Sequence, residues 1–174
     1  AGESYVGTAY TFKSLAYTRK LFAWGYNAYG ELAQNNVTEY SSPVQIPGNT
    51  WGYTEGKISY AGEQFSSIKT DGTLWVTGQN DYGGLGQNNP GPTSRSSPVQ
   101  IPGTTWNWVS QGQTWVAATK TDGTLWTWGD NTEGQLGLNQ GPGQFARCSS
   151  PVQVPGTTWS KVFNGSVSAT AIKT

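Results

Sequence analysis

The residues best able to do chemistry in this 174-residue sequence are its nine tryptophans. An indole face can stack on the C–H-rich face of a sugar ring. Most of these tryptophans recur at fixed spacing, which favours packing between repeated elements. Trp108 and Trp115 fall outside the repeated positions and are the candidates for exposed contacts with a glycan. Asp71 and Asp122 could be read as metal carboxylates, but each precedes Gly between apolar alternations, which is a hairpin signal, and no acidic cluster accompanies either. Cys148 is the sole thiol, so it has no partner for an internal disulfide. The sequence holds no His to activate it. That absence also removes the commonest general base and the commonest metal ligand. No nucleophile with a base, no phosphate-cradling glycine loop and no carboxylate pair at meaningful spacing can be named. The expectation is a non-enzyme with no cofactor and no metal.

The elements that position these residues are written as repeats. Ser41-Ser42-Pro43-Val44-Gln45-Ile46-Pro47-Gly48 returns at Ser96–Gly103 and at Ser149–Gly156, each copy followed by Thr-Trp. Upstream of each lies a second block, Leu21–Leu32, Leu74–Leu85 and Leu125–Leu136. A third, Ile68-Lys69-Thr70-Asp71-Gly72-Thr73, returns at Thr119–Thr124 and, cut short, at Ile172-Lys173-Thr174. Asp71-Gly72 and Asp122-Gly123 predict type I′ hairpins. Leu125-Trp126-Thr127-Trp128 alternates with the period of a strand. The prolines of the Ser-Ser-Pro-Val segments cannot donate to a central ladder, so those segments are expected at sheet edges. Nothing carries caps with a helical period, and an all-β chain of about 50-residue units is expected.

Composition narrows the partners. Charged residues make up 11% of the chain and the net charge is zero, which provides no field for nucleic acid or an anionic membrane. No apolar run is long enough to span a bilayer as a helix. Polarity comes from 22 Thr, 16 Ser, 12 Gln and 11 Asn, a surface poor at self-repulsion that suits an assembly or the outside of a cell. Asn36-Val37-Thr38 and Asn164-Gly165-Ser166 match the N-glycosylation pattern, which matters only on a secretory route.

The stretch Asp122-Gly123-Thr124-Leu125-Trp126-Thr127-Trp128-Gly129-Asp130-Asn131, continuing through Gly134-Gln135-Leu136-Gly137 to Ser150-Pro151-Val152, closely resembles the RCC1 repeat. The resemblance covers nearly the whole chain in three copies. It departs at Thr77, where the strand Trp is lost, at Arg19-Lys20, where the Asp-Gly is missing, and at Ala33, where the last Gly is replaced. It implies β-propeller blades, with repeat units near 13–64, 65–115 and 116–166, and residues 167–174 a spare strand of a further blade. Propellers generally need about four or more blades, so three repeats make a partial or assembly-completed propeller. The strand preceding the Leu block occurs four times, at Ser14–Thr18, Phe65–Thr70, Val116–Thr121 and Val167–Lys173. The last copy could close the chain on itself, pair with another chain, or belong to a longer array. Completion by another chain or a larger assembly is the reading adopted, with Val167, Ala169, Ala171 and Ile172 as the intersubunit strand.

Variation against the repeat marks the remaining candidates. The linker before each Ser-Ser-Pro-Val grows from seven residues (Gln34–Tyr40) to nine (Gln87–Arg95) to eleven (Leu138–Cys148). Such insertions gather on one face, where Tyr40, Arg95, Phe145 and Arg147 could anchor a partner, or could simply be solvated. The resemblance also extends to repeats of phage and bacterial surface proteins. It implies a structural or adhesive component, extracellular on a virion or cell surface, whose partners are further copies, other assembly subunits or a surface glycan. A carbohydrate-binding propeller lectin is the alternative; an exchange-factor or chromatin-binding regulator is a third reading.

Overall fold

The computed structural model describes residues 19–89, 91–139 and 147–174, and all of its regular structure is β. The first two strands, β1 (Phe22–Gly25) and β2 (Tyr40–Gln45), form a two-stranded antiparallel sheet. A four-stranded sheet follows, β3 (Ile58–Ala61), β4 (Gln64–Ile68), β5 (Leu74–Gly78) and β6 (Arg95–Ile101), paired in sequence order. A second repeats it with β7 (Trp106–Gln111), β8 (Trp115–Lys120), β9 (Leu125–Asp130) and β10 (Arg147–Val154). Among the described residues the last sheet holds β11 (Trp159–Asn164) and β12 (Ala169–Lys173). Two full blades are thus flanked by two half-blades. The strand that follows each Thr-Trp belongs to the next sheet, so the four-stranded sheets run out of phase with the repeat units as written in the sequence.

The prolines sit where their missing N–H does least harm. Pro43, Pro98 and Pro151 lie in β2, β6 and β10, the outer strand of each sheet, and beside a register shift in each. The Asp-Gly hairpins differ from the two-residue type I′ turns expected. Lys69 N–H donates to Thr73 O at 2.8 Å and Gly72 N–H to Lys69 O at 3.0 Å, and only Gly72 of the loop has positive φ, +79°. That is a three-residue loop, a type I turn followed by a glycine bulge. Asp71 Oδ1 accepts from Thr73 N and Oγ1, and Thr73 Oγ1 in turn accepts from the Trp75 indole at 2.8 Å. Asp122, Thr124 and Trp126 repeat the relay. The aspartates therefore position indoles.

The core lies between blades. Ile68, Leu74, Val76 and Leu85 of the first full blade pack on Trp106, Val116 and Trp128 of the second. The second packs on the C-terminal half-blade through Trp108, Trp115, Leu125, Leu136 and Val162. Indole N–H groups stitch the layers, Trp128 donating to the Gly84 carbonyl of the preceding blade at 2.8 Å. Where Thr77 stands in place of that Trp, its hydroxyl donates to Gly30 O at 2.8 Å.

Candidate functional site

Three of the candidate anchors begin equivalent strands. Tyr40 opens β2 opposite Gly25, Arg95 opens β6 opposite Gly78, and Arg147 opens β10 opposite Asp130. Their shared level is fixed by Asn27, Asn80 and Asn131, each almost wholly buried. Asn27 Oδ1 accepts from Leu32 N, Asn80 Oδ1 from Leu85 N and Asn131 Oδ1 from Leu136 N, at 2.9–3.1 Å. The Asn27 amide donates to Asn36 O and Thr38 O, and that of Asn80 to Asn89 O and Gly91 O. These asparagines therefore close the turns that follow β1, β5 and β9. The structure places the three anchors one per sheet along one rim, without gathering them into a cleft. Arg147 reaches back to the preceding blade, donating to Asp81 O at 2.9 Å and lying over the Tyr82 ring. Tyr40 accepts from the Asn36 amide at 2.9 Å, and Arg95 is exposed. Phe145 lies outside the described residues.

Trp108 and Trp115 are not exposed contacts. They are 8% and 0% accessible, and their indole N–H groups donate to Val162 O at 2.7 Å and Ser166 O at 2.8 Å in the C-terminal half-blade. They are interblade packing residues that happen to differ between repeats. Val167 also departs from expectation. The β11–β12 turn closes through Gly165 N–H to Ser168 O, so Val167 sits in that turn and the strand begins at Ala169. The two sequon asparagines already donate within the fold, Asn36 to Tyr40 and Gln34, and Asn164 to Ser110 O.

Among the described residues no group of three or more His, Cys, Asp or Glu side chains could hold a metal. Burial raises the Cys148 thiol above its ordinary pKa, which leaves it protonated at neutral pH. Burial likewise raises the Glu31 carboxyl, whose Oε2 accepts from Tyr29 N.

The distinctive surfaces are the lateral faces of the half-blades. Trp24 is 60% exposed, yet its repeat counterpart Trp128 is 0% exposed. Phe22 beside it is also exposed. At the other end β12 is paired, among the described residues, with β11 alone, and Ala169 and Ile172 are exposed while Ala171 is partly covered. Lysines mark the same asymmetry. Lys69 lies 4.7 Å from the Trp51 ring centre and 3.9 Å from that of Trp75. Lys120 lies 4.7 and 4.3 Å from those of Trp106 and Trp126. Among the described residues Lys173 has one such ring, Trp159 at 4.3 Å. Sequence reasoning passed over Trp24 because it counted as a repeated, hence packed, indole.

Comparison with known proteins agrees with this architecture. The family model described as "Regulator of chromosome condensation (RCC1) repeat" matches residues 122–171. The X-linked retinitis pigmentosa GTPase regulator of Mus musculus is 31% identical over 122 residues, 68% of this chain and 12% of that protein. The secretion-regulating guanine nucleotide exchange factor of Bos taurus is 28% identical over 132 residues, 75% of this chain and 28% of that protein. The crystal structure of Prp20p from Saccharomyces cerevisiae superposes with a TM-score of 0.73 at 20% identity, over 92% of this chain and 41% of that one. The chain spans less than a third of the length of either relative. Three sequence copies, blades of matching strand order and these likenesses lead to one conclusion: the chain belongs to the RCC1-like repeat family.

Proposed function

We propose that the chain is a non-enzymatic structural repeat protein, a part of a larger assembly joined by strand pairing, with a virion or cell surface as its setting. The observation that carries this reading is the outer edge of β12, which has no partner strand among the described residues. An unpaired strand edge offers a row of N–H and C=O groups to another chain. The low charge of the surface supports the reading, since little self-repulsion opposes close approach.

The lectin alternative loses its two nominated stacking residues, because Trp108 and Trp115 are interior. An exchange or chromatin-binding role would rest on likeness of fold and repeat alone, and the sparse charge gives little steering toward such partners. Sedimentation velocity of the 174-residue chain over a concentration series, without ligand, tests the proposal. Mass rising above 18.7 kDa with concentration is expected. A monomer at every concentration would overturn the assembly reading, and glycan binding by that monomer would turn attention to the lectin.

A further inference from the structure

The surface that joins two copies can be specified to the residue, resting on the assembly reading above. In the first full blade β4 pairs with β5 so that Ile68 faces Leu74, Ser67 faces Trp75 and Phe65 faces Thr77. In the second, Thr119 faces Leu125, Ala118 faces Trp126 and Val116 faces Trp128. The repeat places Ile172 where Ile68 and Thr119 stand, and Leu21 where Leu74 and Leu125 stand. We infer that β12 of one copy pairs antiparallel with β1 of a second, taking the edge to which the repeat also assigns Ser14–Thr18, a segment outside the described residues, with Ile172 facing Leu21, Ala171 facing Phe22 and Ala169 facing Trp24. The composite blade is β11–β12 from one copy and β1–β2 from the other.

Three separate features of the structure fit a second copy in that register. The first is a socket. A methyl group added at Gly86 would meet the Trp128 indole nitrogen at 3.0 Å, whereas one added at the equivalent Gly137 meets nothing within 4 Å among the described residues. Around Gly137 lies a hollow of about 330 Å³ lined by Leu136, Val154, Val162, Ala169 and Ala171. It is the place Trp128 fills one blade earlier, and the buried Gln135 amide nitrogen beside it has no hydrogen-bond partner. Trp24 of the second copy fills this hollow, its indole N–H donating to the Gln135 carbonyl as Trp128 donates to Gly84.

The second feature is the half-made lysine clamp. Phe22 occupies the repeat position of Trp75 and Trp126, so in the composite blade it supplies the second ring over Lys173. The third is backbone clearance. A methyl at Gly129 would meet Trp115 Cα at 2.6 Å on the neighbouring strand, while one at Gly25 meets nothing within 4 Å among the described residues. In the inferred register Ser168 comes to face Gly25 at that open point. Ile172 and Thr170, on the other face of β12, turn toward the second copy's own hollow, which is lined by Leu21, Ala23, Ile46 and Phe65.

Two variants test the register. Trp24→Ala is the first; because Trp24 is exposed in the single chain, the variant keeps its fold, checked by its melting curve at high dilution. It should weaken self-association at least about thirtyfold, as a central aromatic anchor does. The second is Thr170→Cys with Ala23→Cys in a Cys148→Ser background, since these two positions face each other in the register. Oxidation should give disulfide-linked chains of two or more copies, with each single cysteine variant remaining unlinked in that way. If wild type associates but Trp24→Ala associates equally well and the cysteine pair does not link copies, the register is wrong and the assembly reading survives. A disulfide closing within one chain would assign the contact to self-closure and overturn the copy-to-copy inference. A wild type that never associates overturns both.

Discussion

Trp128 and Trp24 occupy the same repeat position in opposite surroundings, so truncating each to Ala separates packing from docking. Trp128 is wholly buried, donates to Gly84 O at 2.8 Å and lies edge-on to Trp106 with ring centres 6.1 Å apart. Trp128→Ala removes that apolar area, leaves a cavity between blades and strands a buried carbonyl. Core Trp→Ala changes of this kind cost about 3–5 kcal/mol. For a chain of this length each kcal/mol moves the melting temperature by roughly 2–4 °C, so a fall on the order of 10 °C or more is expected. Trp24→Ala, measured where the chain is single, should stay within about 0.5 kcal/mol of wild type, as exposed substitutions do. Urea denaturation followed by far-UV circular dichroism reads both. A cost for Trp128→Ala below about 1.5 kcal/mol, or equal costs for the two variants, would refute the assignment of one indole to the core and the other to a free face.

Other outcomes follow from the same geometry. Gly86 and Gly137 have φ of +60° and +65°, so Ala at either carries a similar backbone penalty. Gly86→Ala also crowds Ile101 and Trp128, and thermal melts of the dilute chain should rank it the more destabilising by about 1 kcal/mol or more. Lys120→Met removes a cation shared by two indoles and should cost about 1 kcal/mol in urea titrations, with Lys173→Met costing less in the single chain, where only one ring is present. The Thr73 and Thr124 hydrogen bonds hold the carboxyls of Asp71 and Asp122 below the usual carboxylate pKa. Their stabilising contribution is therefore complete above the unfolded-state value, ~3.9, and is lost as pH falls through the lower folded value. Both groups are exposed, so the effect is small. Melting temperatures through the acid range should show a shallower decline for Asp71→Ala/Asp122→Ala than for wild type.

Much of the fold was legible because it is written more than once. Repetition of the Leu-Trp and Ser-Ser-Pro-Val blocks fixed the blades, and proline placed β2, β6 and β10 at edges. The hairpin type was not legible. Asp-Gly serves a two-residue and a three-residue loop alike, and the choice depends on Lys69 pairing with Thr73 across it. Burial of Trp108 and Trp115 was hidden for a different reason. Their carbonyl partners lie 54 and 51 residues away in another sheet, and a residue that breaks a repeat can still point inward. Trp108 also lies against Gly56, where any side chain would collide with its ring, a fit that no local pattern announces. The free face of Trp24 was masked by the opposite assumption, that a repeated indole is always covered.

The central claim, that copies meet along β12 and β1, is tested most directly by amide hydrogen exchange at two protein concentrations. At the higher one, the amides of Ala169–Lys173 and Phe22–Gly25 should gain protection together while those of β8 and β9 stay as protected as before. Exchange of β12 and β1 that does not change with concentration, or new protection confined to the Tyr40, Arg95 and Arg147 rim, would contradict it.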